Sequence, residues 1–191
     1  PLCNKLYERQ AKRIGIDDFW FAHESIEFKN GNATIKGGEE YEKYIIENGK
    51  KMYSELSKET AEFFEYMTQN ELMDLVTRKS KAAGGYCTHI PNYNSPFIFS
   101  NFNNTSEDID VLTHEAGHAF QLYMSKDIPM YEINFPTLDS CEIHSMSMEF
   151  ITYPWMDLFF KEDTLKYKFY HMSSAIKFIP YGVIVDEFQH R

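Results

Sequence analysis

The stretch "VLTHEAGHAF", residues 111–120, places His118 four positions after His114, with Glu115 directly following the first histidine. On an α-helix each residue turns by about 100°, so the two histidines lie on one face, one turn apart, and Glu115 flanks that face. Apolar residues recur here at helical spacings, which predicts a helix packed on its other side. These apolar residues are Val111, Leu112, Ala119, Phe120 and Tyr123. Thr105 or Ser106 can cap the first turn.

His-Glu-x-x-His on a helix is the pattern in which two imidazoles bind zinc and the glutamate acts on the water that the metal holds. The same spacing also arises by chance, so two histidines satisfied by ordinary hydrogen bonds are the alternative. Catalytic zinc usually takes three protein ligands and leaves one position open. A third donor is therefore expected beyond His118.

The segment "DSCEIHSMSMEF", residues 139–150, offers Asp139, Glu142, His144 and Glu149 as that donor. Glu142 and Glu149 are seven apart and share a helix face, whereas Glu142 and His144 face opposite ways. The phase favours Glu142 as ligand, with Glu149 placed to hydrogen-bond a ligand two turns on. The alternative for both glutamates is a solvated helix face. For His144 we expect a hydrogen-bonded structural role, or else a contact with substrate.

Composition excludes several classes of protein. The 191 residues carry a net charge of −10 without a basic patch, so a nucleic acid partner is not expected. No apolar run is long enough for a membrane span. The three scattered cysteines, Cys3, Cys87 and Cys141, are unlike a disulfide framework and favour a cytoplasmic setting. The chain opens on Pro1 and stops inside a predicted helix, which predicts a piece of something longer.

The pattern along the chain is mostly helical. Helices are predicted over residues 2–14, 39–75 with a break capped by Ser57, 137–160 with a disturbance at Pro154, and 163 to the end with one near Pro180. "WFAHESIEF" is predicted to be extended. "GGYCTHI" and "PFIFSNF" flank a turn-like "PNYNS" and predict an antiparallel pair of strands.

Three stretches together carry a resemblance: "GGYCTHIPNYNSPFIFSNFN", "LTHEAGHAFQ" and "PTLDSCEIHSMSMEFITYPWM". They resemble the oligoendopeptidase F branch of the thimet-oligopeptidase-like zinc metallopeptidases, and both termini of the chain also look like parts of such enzymes. The resemblance implies a mainly α fold with a small antiparallel β element and a zincin-like metallopeptidase catalytic core. It implies that residues 1–191 are a single catalytic-core piece of a longer, mostly helical peptidase, with the zinc-binding region at about 84–150.

The resemblance also implies roles for individual residues. One zinc ion per chain is bound by His114, His118 and Glu142, and Glu115 is the general base. The strand "AGGYCTHI" is the one that pairs with a peptide substrate in this family. Its candidate substrate-binding residues are Gly84, Gly85, Tyr86 and His89. The alternatives here are an ordinary turn for the glycines and a structural histidine for His89.

The function implied is zinc-dependent hydrolysis of internal peptide bonds in short oligopeptides. In the family, a histidine and tyrosines on a further C-terminal segment help stabilise the oxyanion, and nothing in these 191 residues matches that segment. The chain alone is therefore expected to be weak or inactive. Two alternatives stay open: a non-catalytic, zinc-stabilised helical scaffold, and a zinc exopeptidase of the same broad fold. The sequence predicts no oligomeric state.

Overall fold

The computed structural model describes residues 2–191, with Tyr131 described by its backbone alone. The chain divides into two compact units. The terminal unit combines the residues up to 33 with residues 162–191, and the central unit spans residues 34–161. That the 191 residues form a single catalytic-core piece stays a prediction.

The terminal unit is built from two helices, α1 (Leu2–Ile14) and α7 (Thr164–Gln189). The predicted bounds of α1 are confirmed. Gly15, directly after it, takes a φ of 77°, which favours a residue without a side chain. The segment predicted to be extended instead forms a 3₁₀ turn at Phe21–His23. His23 accepts a hydrogen bond from the Trp20 backbone N–H and thereby closes this turn. α7 continues through Pro180, where we predicted a disturbance.

A buried carboxylate links the elements of the terminal unit. Glu27 is 1% exposed and pairs with Arg13 and with Lys177. The Arg13 guanidinium also lies over two aromatic rings, 5.0 Å from the centroid of Phe28 and 4.7 Å from that of Phe169. Because buried charges are stable only when paired, these contacts tie α1 and α7 together through Glu27.

The central unit begins with the helix pair α2 (Tyr41–Leu56) and α3 (Lys58–Gln69). The predicted cap at Ser57 is confirmed. Its hydroxyl accepts the Thr60 backbone N–H, and the Thr60 hydroxyl accepts the Ser57 N–H. The two helices enclose fully buried aromatic rings, among them Tyr53 and Phe63.

A three-stranded sheet follows, made of β1 (Met73–Val76), β2 (Tyr86–Ile90) and β3 (Ser95–Phe102) in the order β1-β3-β2. The predicted antiparallel pairing of β2 with β3 is confirmed. The sheet is nevertheless mixed rather than antiparallel, because β1 pairs parallel to β3. The helix predicted over residues 39–75 is wrong at its end, because α3 ends at Gln69 and β1 begins at Met73. Four residues are too short a run for a period of two to be recognised, and β1 is held by β3 from far along the chain.

The remaining helices are α4 (Glu107–Met124), α5 (Glu142–Ile151) and α6 (Asp157–Phe160). The helix predicted over 137–160 starts five residues later than expected, and a 3₁₀ turn containing Pro154 interrupts it after Ile151. Ser106, one of the two predicted caps, precedes α4 directly but makes no side-chain hydrogen bond to its first turn. Instead the Asp108 carboxylate accepts the N–H groups of Asn103 and Asn104. Within the described residues, no helix combines the length and apolarity that a membrane span needs.

Gly117 sets the distance between α4 and α5. A Cβ atom at this position would lie 2.6 Å from the Cα of Ser145 and 2.9 Å from the carbonyl oxygen of His144. Both are backbone atoms, which cannot rotate away as a side chain can. The absence of a side chain at Gly117 therefore allows α5 to lie directly against the histidine-bearing helix.

Candidate metal centre

His114 and His118 project from successive turns of α4 toward the first residue of α5, Glu142. The Oε2 atom of Glu142 lies 3.0 Å from Nε2 of His114 and 3.3 Å from Nε2 of His118. The two imidazole rings are nearly perpendicular, with centroids 4.9 Å apart. The shared face predicted for His114 and His118 agrees with the structure, and the donor atoms of these two residues and Glu142 all lie within 4.8 Å of one another.

These three donors fit a zinc ion. Zinc binds histidine nitrogen and carboxylate oxygen at about 2.0–2.2 Å, so neighbouring ligands of a tetrahedral ion lie about 3.3–3.5 Å apart. The observed separations of 3.0 and 3.3 Å are close to that range. Two imidazoles and one carboxylate are also a donor set that zinc prefers. The three residues thus form a possible metal site.

The protonation of the site is compatible with a metal. Burial lowers the pKa of His118 to about 4, and the nearby His114 adds to this effect. His118 is therefore neutral near pH 7, as a metal ligand must be. Burial opposes ionisation of Glu142, yet the hydrogen bond from Ser145 and the adjacent imidazoles bring the pKa of this carboxyl below its usual value. Glu142 is thus a carboxylate.

Both histidines are held at their far ring nitrogen. Nδ1 of His114 lies 2.6 Å from Oε1 of Glu149, the partner that the seven-residue step from Glu142 predicted. Burial opposes protonation of His114, but the hydrogen bond and charge of Glu149 outweigh it and raise the pKa of this imidazole. Nδ1 of His118 lies 3.1 Å from Nε2 of His144. His144 therefore belongs to the site as a hydrogen-bonding partner, in line with the structural role expected for it, although its phase relative to Glu142 suggested the opposite side.

Ser145 makes a contact with Glu142 that was not predicted. Its fully buried hydroxyl donates a hydrogen bond of 2.7 Å to Oε2 of Glu142, the oxygen that faces both histidines. The spacing of three residues, one helical turn, was the signal that could have revealed it. The thiol of Cys141 contacts the other oxygen of Glu142 at 3.5 Å. Both oxygens of the carboxylate are thus oriented by neighbours in α5 and just before it.

Glu115 is buried beside the three candidate ligands, at 8% exposure. Burial raises the pKa of its carboxyl, and the charge of Glu142 adds to this; His114 and the backbone N–H of Cys87 act in the opposite direction. The contact with Cys87 places β2 alongside the carboxylate of Glu115. The glutamate of the motif therefore lies between the possible metal site and the edge strand of the sheet.

The structure gives the predicted substrate-binding residues other contacts as well. Gly84 has a φ of 103°, so its role as a turn glycine is required by the backbone. Tyr86 is half exposed and stacks on Phe99, with centroids 5.2 Å apart. His89 contacts Asn94 at 3.2 Å. Gly85 lies next to Val111 of α4, where a Cβ atom would meet only ordinary contacts. Their role in substrate binding stays a prediction.

Comparisons with known proteins find a matching family and similar solved structures. A family model described as peptidase family M3 matches residues 39–178. Two solved structures match the whole chain with a TM-score of 0.94: PZ peptidase A with an inhibitor, 63% identical, and a protein from Bacillus anthracis assigned as an oligoendopeptidase F, 58% identical. The chain covers 33% and 34% of those proteins, about a third of their length.

A third structure is more distant. A peptidase-like protein from Chlamydophila abortus matches 93% of the chain with a TM-score of 0.64 at 19% identity, and the chain covers 29% of it. At this identity the match shows the fold alone. A search of curated proteins gives no match.

Proposed function

The chain belongs to peptidase family M3, and from that premise we propose that it carries the metal-binding part of a zinc-dependent endopeptidase that cleaves short oligopeptides. The observation that carries the proposal is the convergence of His114, His118 and Glu142, with donor atoms 3.0 and 3.3 Å apart, next to a buried Glu115. When bound there, zinc would polarise the substrate carbonyl and lower the pKa of a water molecule toward 7.

The protein side chains have separate tasks in this proposal. His114, His118 and Glu142 hold the ion. Glu115 accepts the proton of the attacking water at its carboxylate and delivers it to the amine of the leaving fragment. Its burial suits this task, because a carboxyl whose pKa is raised by its surroundings is a better base than an exposed one.

The peptide would lie along β2. Within the described residues β2 pairs with β3 on one side only, so its other edge can accept an extended chain. Backbone hydrogen bonds at such an edge give affinity without reading sequence, which suits an enzyme that acts on varied oligopeptides. Gly84, Gly85, Tyr86 and His89 are the residues proposed to contact substrate. The cytoplasmic location and the absence of nucleic acid partners stay predictions from composition.

The number of ligands at the site bears on the first of the two alternatives, the zinc-stabilised scaffold, and the choice of substrate bears on the second, the exopeptidase. A closed structural zinc site prefers four protein ligands, whereas the candidate group within residues 2–191 holds three. This favours a site with an open position over a zinc-stabilised scaffold. An exopeptidase would share the three ligands but needs a group that binds a terminus of the substrate. Peptides with blocked and with free termini therefore distinguish an exopeptidase from an endopeptidase.

The test is the Glu115→Gln variant of the intact protein. We expect about one zinc ion per chain to be retained and kcat to fall by about 10²- to 10⁴-fold, the contribution typical of a general base. Glu107→Gln, at an exposed position in the first turn of the same helix, is the matched control and should leave both unchanged. Metal loss in Glu115→Gln, or unchanged kcat, would contradict the assigned role.

Peptide substrates blocked at both ends complete the test. Their cleavage at internal bonds supports an endopeptidase. Cleavage that requires a free amino or carboxyl terminus supports the exopeptidase alternative instead. An intact protein that binds no zinc, with Glu115→Gln as active as the wild type, would refute the zinc mechanism as a whole.

A further inference from the structure

His144 is engaged with one of the candidate ligands without belonging to the group that could hold the metal. Its Nε2 atom lies 3.1 Å from Nδ1 of His118, and the two rings are nearly perpendicular, at 82°. The opposite nitrogen of His118, Nε2, faces Glu142 at 3.3 Å. Both nitrogens of His118 are thus occupied, one on the side of the possible metal site and one by His144.

The chemistry of imidazole fixes what His144 must do. A neutral imidazole has one N–H and one nitrogen lone pair. If Nε2 of His118 donates its lone pair to a metal, the proton has to be on Nδ1. The atom 3.1 Å away must then accept that proton in a hydrogen bond. Nε2 of His144 can do so when its own proton is on Nδ1.

We propose that His144 is a positioning residue, which holds His118 in the Nδ1–H tautomer and fixes the orientation of its ring for metal binding. The inference rests on the proposed metal site. His144 contacts Nδ1 of His118 in the same way that Glu149 contacts Nδ1 of His114. It offers an imidazole where a metal-bound histidine usually donates its N–H to a carboxylate.

Two further observations support a defined role over an incidental contact. His118 is buried, at 7% exposure, so little water can replace a lost acceptor, and an unsatisfied buried N–H is costly. The backbone of His144 also lies directly against α4. Its carbonyl oxygen would be only 2.9 Å from a Cβ atom placed at Gly117. With the helices in this close contact, the His144 ring is held beside His118.

The experiment compares His144→Leu, which removes the acceptor, with His144→Gln, whose side-chain oxygen can still accept the His118 N–H. Zinc affinity of the intact protein is measured by competition with a chromophoric chelator. We expect His144→Leu to bind zinc about 10- to 100-fold more weakly, as is typical when a partner of a metal ligand is lost. His144→Gln should recover most of the affinity.

A second readout separates positioning from folding. In the cobalt-substituted protein, the visible absorption bands report the geometry of the bound ligands, and a mere loss of stability would reduce their amplitude without shifting them. We expect shifted bands in His144→Leu and bands near the wild-type position in His144→Gln. Ile143→Gln, an exposed neighbour on α5, is the matched control and should change neither affinity nor bands.

The outcomes distinguish this inference from the proposed function. If the wild type binds zinc and His118→Ala loses it, while His144→Leu keeps wild-type affinity and bands, the positioning role is overturned and the metal site stands. If His144→Gln is as impaired as His144→Leu, acceptance of the His118 proton is overturned. A wild type that binds no zinc overturns both.

Discussion

Replacement of Gly117 by alanine tests how closely α4 and α5 must approach for the metal centre to form. The new Cβ would lie 2.6 Å from the Cα of Ser145, whereas ordinary contacts begin near 3.4 Å. Because the obstructing atoms are backbone, α5 would have to retreat by roughly 0.8 Å, and close-packed interiors resist such shifts. Glu142 is the first residue of α5 and would move with it.

The magnitude follows from two opposed effects. Overpacking in a well-packed region costs about 1–3 kcal/mol, and backbone contacts place this change at the upper end. Alanine offsets about 1 kcal/mol of that through its higher helix propensity. We therefore expect the free energy of unfolding to fall by about 2 kcal/mol. Metal affinity should fall by about 10-fold or more, comparable to the loss of a group that supports a ligand.

Denaturant unfolding of the metal-free protein and chelator competition measure the two quantities. Gly182→Ala is the matched control, because this helical glycine has open space where its Cβ would be and should gain helix propensity alone. A Gly117→Ala protein that matches the wild type in both stability and zinc affinity would refute the argument that backbone contact between α4 and α5 defines the site.

Two other substitutions test contacts described above. Glu149→Leu removes the acceptor of the His114 N–H and should weaken zinc binding by about 10- to 100-fold in chelator competition; wild-type affinity would show that His114 does not depend on it. Glu27→Gln leaves the charges of Arg13 and Lys177 without their buried carboxylate and should lower the free energy of unfolding by about 3 kcal/mol. The exposed Glu8→Gln serves as its control, and equal stability of the two variants would contradict a structural role for the Glu27 pairs.

The parts of the site that sequence could predict are those governed by local helix geometry. Helix phase alone predicts that His114 and His118 share one helix face and that Glu142 and Glu149 share another. The contact of His144 with His118 could not be derived in this way, because it depends on how closely two helices approach at Gly117. Phase defines which side of its own helix a residue occupies and leaves open which neighbour reaches it.

The same distinction explains the differences in the fold. Ser57 caps α3 through groups three residues apart, so its role was readable from the sequence. β1 is held by β3, with Met73 opposite Ile98, and its four residues carry too little pattern to reveal a partner outside its own segment. At the start of α4 the Asp108 carboxylate accepts the N–H groups of Asn103 and Asn104, which precede the helix, and this contact depends on how the chain enters α4 rather than on a capping pattern in the sequence.

The contacts of the two units join residues at very different separations along the chain, and this separation affects the order in which the units fold. In the candidate metal centre, His118 and His144 are only 26 positions apart and His114 and Glu149 only 35, whereas the contacts of Lys177 in the terminal unit join residues 150 and 167 positions apart. Loop-closure entropy grows with the logarithm of length, so the terminal unit pays roughly 1.4 kcal/mol more to bring its ends together. Low contact order favours early formation, and amide protection after pulse labelling should therefore arise in α4 and α5 before α1 and α7; simultaneous protection would contradict it.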